Sequence, residues 1–282
     1  NKLKNNNIKL DEARRCASII LKKGIIAWEN LTMLNKAISC PICENTEINY
    51  YVKKDDYSFD NCNNCEFIFL NPMPNQATLN KIYTDEDTKA NGGYKKASSR
   101  LRRAFIKLPR FFPYVFNKNS LDFGCGGGFV AYALSFIAKS SVGVDINQKA
   151  VTYAKKKFNS VNFYCKDFHD LLKSNKRYDF IHSSEIIEHV SDVNLYMKTL
   201  SHLTNTKGHV YITTPDLGHP KVPENITEWD VLCPPIHVQH FTKKTVTILF
   251  KKYDFDIIKF YKNKKPGLVF LSRKLWPKYL ST

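Results

Sequence analysis

Cys40-Pro-Ile-Cys43 and Cys62-Asn-Asn-Cys65 place two pairs of thiols 18 residues apart. The pattern C-x2-C-x18-C-x2-C lies within the spacing of roughly 15–20 residues expected of a four-thiolate zinc site. Each pair offers two sulfurs from one tight turn, and the turns meet if YYVKKDDYSF folds back as short strands. Zinc then replaces a core that so short a segment cannot build, and four thiolates leave no open position, so the expected role is structural. Cys16, Cys125, Cys165 and Cys233 have no such partners and read as buried or incidental thiols. A second group is LDFGCGGG, Leu121 to Gly128, in which four glycines and an acid end an apolar run. Glycine is used where the backbone turns left-handed or must come close to another group. The stretch is not the dinucleotide pattern G-x-G-x-x-G, because Phe129 stands where the third glycine would be and Asp122 precedes the first.

The elements that must hold these groups follow from periodicity. Residues 10–37 read as an amphipathic helix through Ala13, Ala17, Ile20, Leu21 and Ile25, and residues 38–74 as the zinc module. Asn75–Tyr83 and Ala97–Phe112 read as helices of a connector over 75–117, joined by a polar loop that includes NGGY. From residue 118 strand-like and helical runs alternate: SLDFG, FVAYALSFIA, SVGVD, NQKAVTYAKKKF, VNFYC, YDFIHSS, VNLYMKTLSHL and HVYITTP. That alternation predicts an α/β, doubly wound, Rossmann-like domain over 118–282. A helix at Thr242–Tyr253 and strands near Phe255–Tyr261 and Leu268–Ser272 would complete a seven-stranded sheet. In such a sheet ligands sit beyond the carboxyl ends of the strands, where the glycine turn lies.

At 282 residues, 43% apolar, the chain is long enough for a full core, which excludes a disordered protein. No apolar run approaches the roughly 20 residues that span a bilayer, and the start NKLKNNNIKL is unlike a secretory signal, so a cytoplasmic protein is expected. The charge of +17 is unevenly spread. Residues 1–120 hold 20 basic and 12 acidic groups, residues 121–250 hold 14 and 12, and residues 251–282 hold 9 and 2. Basic flanks around a near-neutral centre favour an anionic partner: a phosphorylated metabolite, an acidic glycan, nucleic acid, or lipid headgroups met by the basic tail.

The pattern D-x-G-x-G-x-G of Asp122, Gly124, Gly126 and Gly128 resembles the first motif of class I S-adenosylmethionine-dependent methyltransferases. The resemblance extends to YDFIHSSEIIEHV and HVYITTPD and covers about residues 118–273. It implies that the glycines let the backbone approach the methionine part of the cofactor. Asp145, ending SVGVD beside Ile146, would accept both ribose hydroxyls. Asp167 would accept from the adenine amino group with Phe168 beside the ring, and Ser183 at the fourth strand completes the cofactor set. The zinc module followed by FIFLNPMP is similar to that of zinc-ribbon methyltransferases of cell-surface sugar and secondary-metabolite pathways. The resemblance does not extend to the large C-terminal domain of the longer sugar C-methyltransferases, so C-methylation of a sugar is not the expectation.

Methyl transfer is an in-line displacement, for which the protein aligns donor and acceptor and, for a hydroxyl acceptor, removes a proton. Candidates for that base are Glu185, Glu188 and His189, on one face if they are helical, and His240 in the loop His237-Val-Gln-His240. His240 is favoured, because a loop after the fifth strand can close over the acceptor. The E-x-x-E-H spacing also resembles the metal motif of ubiquinone-pathway O-methyltransferases and of small-RNA 2′-O-methyltransferases, the latter adding a later His as His237 or His240 could. Mg²⁺ or Mn²⁺ is the ion that such a set implies. The leading expectation is an enzyme methylating a small anionic acceptor at oxygen, a nucleotide-linked or cell-surface glycan sugar or a related metabolite. An RNA methyltransferase and a non-catalytic binding protein of the same fold are the alternatives.

Overall fold

The computed structural model describes residues 35–84 and 96–276. The predicted helix over 10–37 falls almost wholly outside them, as do Cys16 and the NGGY loop. The chain opens with three antiparallel strands, β1 (Ile48–Lys54), β2 (Tyr57–Cys62) and β3 (Ile68–Leu70), followed by α1 (Gln76–Thr84) and α2 (Ala97–Val115). Strands and helices then alternate as expected: β4 (Asn119–Phe123), α3 (Phe129–Leu134), β5 (Ser140–Asp145), α4 (Gln148–Lys157), β6 (Asn162–Cys165), α5 (Phe168–Leu172) and β7 (Tyr178–Ser184). After β7 come α6 (Val193–Leu203), β8 (Thr204–Pro215), β9 (Gln239–His240), α7 (Lys243–Lys252), β10 (Phe255–Tyr261) and β11 (Gly267–Lys274).

Seven strands form the predicted sheet in the order β10-β11-β8-β7-β4-β5-β6. β8, β7, β4, β5 and β6 pair in parallel, while β11 is antiparallel to both β8 and β10. The basic C-terminal residues up to 274 are therefore built into the sheet through β10 and β11 rather than forming a tail. The order reverses at β4, which puts the glycine turn at the switch point where open α/β sheets bind ligands.

The N-terminal strands have two buried faces. Phe67 and Phe69 share a core with Cys40, Cys62 and Cys65 and with α6 and α7, whereas Phe59, Ile68 and Leu70 pack with Leu79, Ile82, Trp229 and Val238. This alternation is the period of a strand buried on both sides. The fourth strand of this sheet comes from far along the chain, since β9 pairs with β3 through Ile68 with His240 and Phe69 with Gln239. The loop expected to close over an acceptor thus ends as a sheet strand, held by ladder bonds. Helix α2 buries Ala104, Phe111 and Val115 and packs on α3 and β7.

Candidate functional site

The four cysteine sulfurs converge. Cys40 Sγ lies 3.5 Å from Cys65 Sγ, Cys43 Sγ lies 3.5 Å from Cys62 Sγ, and all four are within 4.8 Å of one another. The two turns repeat the same geometry. Cys40 N–H donates to Asn45 O and Cys62 N–H to Phe67 O, and each pair is followed by a left-handed glutamate, Glu44 (φ 63°) and Glu66 (φ 61°). Cys40 is drawn down to about 5, chiefly by the hydrogen bond from Cys65, while Cys65 is pushed up by the same bond and by burial. The turns are anchored to the larger domain: Asn194 Nδ2 donates to Pro41 O (2.8 Å), Lys252 Nζ to Ile42 O (3.2 Å) and Thr245 Oγ1 to Cys65 O (2.8 Å).

At the switch point Gly124, Gly126 and Gly128 all have positive φ, 77°, 49° and 78°. What crowds two of them is the protein itself. A Cβ on Gly124 would lie 2.2 Å from Ile186 Cδ1, and one on Gly128 would meet Phe163 at 2.7 Å and Ala154 at 2.9 Å. Asp122 is buried and turned inward: it accepts from Ala131 N (3.1 Å) and pairs with His182 Nδ1 (2.8 Å), so it braces the turn from beneath. Asp145 stands at the end of β5, half-buried, accepting from Gly126 N (2.7 Å) and Asn147 N (2.9 Å). Ile146 follows it, half-buried, with its carbonyl accepting from the Cys165 thiol at 3.3 Å. Asp167 after β6 is exposed and caps α5 through Asp170 N (2.8 Å). Phe168 is half-buried against Phe123 (5.9 Å) and Tyr196 (6.3 Å). Ser183 is buried and accepts from Tyr196 Oη at 3.0 Å, an inward contact and not one at the strand end.

The carboxylates and imidazoles after β7 are arranged differently from the helical expectation. Glu185 is left-handed (φ 57°) and exposed, and accepts from Thr213 Oγ1 (2.9 Å). Ile186 folds over Gly124, and only Ile187–His189 make one 3₁₀ turn. No helical face is formed, because the chain must leave the sheet and reverse within four residues. Glu188 is fully buried, accepts from Thr214 Oγ1 (3.0 Å) and has its Oε1 without a hydrogen-bond partner, 3.9 Å from His189 Nε2. Burial, then the charge of Glu185, pushes the Glu188 carboxyl well above the ordinary range.

His237, not His240, joins this group: one ligand atom each from Glu188, His189 and His237 lies within 4.8 Å of the others. His189 Nδ1 lies 2.8 Å from Ile236 O and His237 Nδ1 lies 2.7 Å from Val231 O. A carbonyl only accepts, so each Nδ1 carries the proton and each Nε2 keeps its lone pair. His240 is 1% exposed, with neither ring nitrogen hydrogen-bonded, between Phe59 (5.7 Å) and Trp229 (5.5 Å). Both ring nitrogens are shut off from solvent, which is at odds with the expectation of a base on an open loop.

Lys107 was not evident from sequence. Half-buried on α2, it is held below its usual range by burial, against the opposing charges of Asp122 and Glu185. Arg110, one turn on, donates to Tyr211 Oη (3.0 Å) and lies over the Tyr261 ring (4.5 Å). A basic residue at positions 103, 107 and 110 is a helical stripe that could have been read from the sequence, had α2 been placed beside β7.

Known proteins share this architecture. The family described as Methyltransferase domain matches residues 95–259, a span that takes in α2. The Ubiquinone biosynthesis O-methyltransferase of Pelagibacter ubique is 35% identical over 101 residues, 35% of this chain and 42% of that protein. The protein of the same name from Rhizobium etli is 32% identical over 98 residues, 33% and 40% of the two chains. The matches thus span roughly two-fifths of these relatives' length. Two solved structures share the fold at a TM-score of 0.51, each over 62% of this chain and 100% of its own. They are an S-adenosylmethionine dependent methyltransferase from Mesorhizobium loti, 19% identical, and the YcgJ protein from Bacillus subtilis, 15% identical. With a seven-stranded sheet, a glycine turn at its switch point and a family match over more than half its length, the chain belongs to the methyltransferase domain family.

Proposed function

We propose that this chain transfers the methyl group of S-adenosylmethionine to an oxygen of a small anionic acceptor, a nucleotide-linked or cell-surface glycan sugar or a related metabolite. The observation that carries this reading is the row of groups at three adjacent strand ends: the glycine turn after β4, Asp145 at β5 and Asp167 with Phe168 after β6. When bound, the cofactor supplies a methyl carbon already activated by its sulfonium. Asp145 would accept the ribose hydroxyls and, through Gly126 N, holds the turn at the same time. Asp167 is exposed beside the Phe168 ring and can take the adenine amino group. Asp122 and Ser183 are assigned bracing roles, since their side chains are engaged internally.

On the acceptor side His189 Nε2 is the proton acceptor, with His237 beside it. Arg103, Lys107 and Arg110 would supply positive charge for an anionic acceptor, Lys107 within the field of Asp122 and Glu185. The Glu188, His189 and His237 set also suits a divalent ion, which would take up the orphaned Glu188 oxygen. Two imidazoles with one carboxylate match Mn²⁺ better than Mg²⁺. The cysteine cluster fits structural zinc: a tetrahedron with Zn–S bonds of about 2.3 Å has sulfurs about 3.8 Å apart, close to the 3.5 Å pairs.

Calorimetry with S-adenosylmethionine and no acceptor tests the reading. Asp145→Ala should weaken binding about 10- to 100-fold, through loss of charge-assisted hydrogen bonds worth roughly 1.5–3 kcal/mol. No binding by the native chain, or an unchanged affinity in the variant, would overturn it.

A further inference from the structure

Helix α2 divides into three faces, and only two are explained by the fold and the acceptor site. Ala104, Phe111 and Val115 face the core, and the stripe of Arg103, Lys107 and Arg110 is the one assigned above to the acceptor side, with Lys107 near Asp122 and Glu185 and Arg110 on Tyr211. The third face carries Ile106, Pro109, Pro113 and Phe116 at spacings of three and four, with Arg102 among them. Its large apolar side chains are open, Ile106 at 66% and Phe116 at 59%, and Phe112, 45% exposed, borders it. Phe112 and Phe116 lie against each other at 4.8 Å, and Phe136, 61% exposed, extends the patch from the end of α3 through its contact with Phe105. Four large exposed apolar side chains on and beside one helix are unlike the scattered single residues of an ordinary surface.

The charge around the patch selects its occupant. Residues 96–161, which make α2, α3 and α4, contain 12 Lys and Arg and only two acids. Both acids belong to strand ends, Asp122 buried beneath the glycine turn and Asp145 bonded to Gly126. A second copy of the chain would bring like charge against like charge. RNA would meet the cations with its phosphates and stack unpaired bases on the phenylalanines, but it would leave Ile106, Pro109 and Pro113 uncovered. Apolar side chains that insert at the acyl boundary, ringed by cations that meet headgroup phosphates, are the requirements of a monotopic membrane contact. We infer that the outer face of α2, with Phe136, docks this protein on an anionic lipid surface.

Flotation of the full chain with vesicles decides the matter. Vesicles of phosphatidylcholine with roughly 30% phosphatidylglycerol should carry the protein, and pure phosphatidylcholine vesicles should not. Replacing Ile106, Phe112 and Phe116 together by Ser should weaken binding about tenfold or more, and Arg102→Glu should weaken it severalfold, with S-adenosylmethionine affinity unchanged in both as the check on folding. Failure of the full chain to float overturns the inference, as it would if residues 1–34 covered the face, and so does equal binding to neutral vesicles. Two other results overturn it in favour of another occupant. One is a dimer in gel filtration that the triple serine variant dissociates; the other is binding of homopolymer RNA that this variant loses.

Discussion

An imidazole acts as a base only if a ring nitrogen keeps its lone pair and can reach the acceptor. His189 keeps the Nε2 lone pair through its Nδ1 contact with Ile236 O and has a partly open side chain, whereas the ring of His240 keeps a lone pair but is shut away from solvent. His189→Ala should therefore slow single-turnover methyl transfer by roughly 10²–10⁴ while leaving cofactor affinity nearly intact. His240→Phe should behave oppositely, because it removes two unpaired buried nitrogens from an aromatic setting. Its rate should be unchanged and its unfolding free energy within about 1 kcal/mol of the native value or above it. A rate loss in His240→Phe with none in His189→Ala would reverse the assignment. The distinction is one of alternation: Gln239 Nε2 bonds Ile187 O and Val190 O on the side of the site, while Val238 and His240 face the core around Phe59 and Trp229. His237 falls in step with Gln239, so a strand reading of this segment would have separated the two histidines.

Among the elements, the cysteine turns and β9 depend on each other. The cluster fixes the turns that bracket β1 and β2, β3 pairs with β9, and Val238 N–H donates to Glu188 O. Loss of one thiolate should loosen this whole strap. In Cys62→Ser we expect metal analysis to fall from about one zinc per chain to well below it, and hydrogen exchange to rise over residues 38–72 and also at Gln239–His240. Exchange confined to 38–72 would mean that the pairing of β3 with β9 transmits nothing. The thiol spacing, the long helices and the parallel strands were legible because their periodicity runs over several residues. The two-residue β9 and the three-residue turn at Ile187–His189 were not, since neither is long enough to show a period.

For the molecule as a whole, burial of histidines sets the response to acid. Burial, with Lys118 and Arg273 nearby, lowers His209 to about 4, and burial also lowers His182 and His240. Above about pH 6.5 such a ring is neutral in both states and has no effect on the balance. Below it the unfolded chain binds a proton that the folded chain refuses, so stability falls as pH drops toward the folded value. Glu188, pushed upward, works in the opposite direction, so a single-site comparison is needed. Between pH 7 and pH 5 the native chain should lose on the order of 1 kcal/mol relative to His209→Gln, after discounting for the partial exposure of the ring. Urea unfolding of both at the two pH values measures this, and a constant difference would show that the ring titrates normally.

The order of strands and helices, the cysteine pattern and the acids at strand ends are local properties, carried by hydrophobic period and residue spacing, and the amino-acid sequence determined them alone. The tertiary structure decided which side chains use those positions. It turned Asp122 and Ser183 inward, filled the space at Gly124 with Ile186, paired β3 with a strand from residues 239–240 and placed Lys107 near Glu185. These contacts join residues from nine to more than a hundred positions apart. Such contacts are set by which elements must share a core to bury their apolar faces, and no local period records that choice.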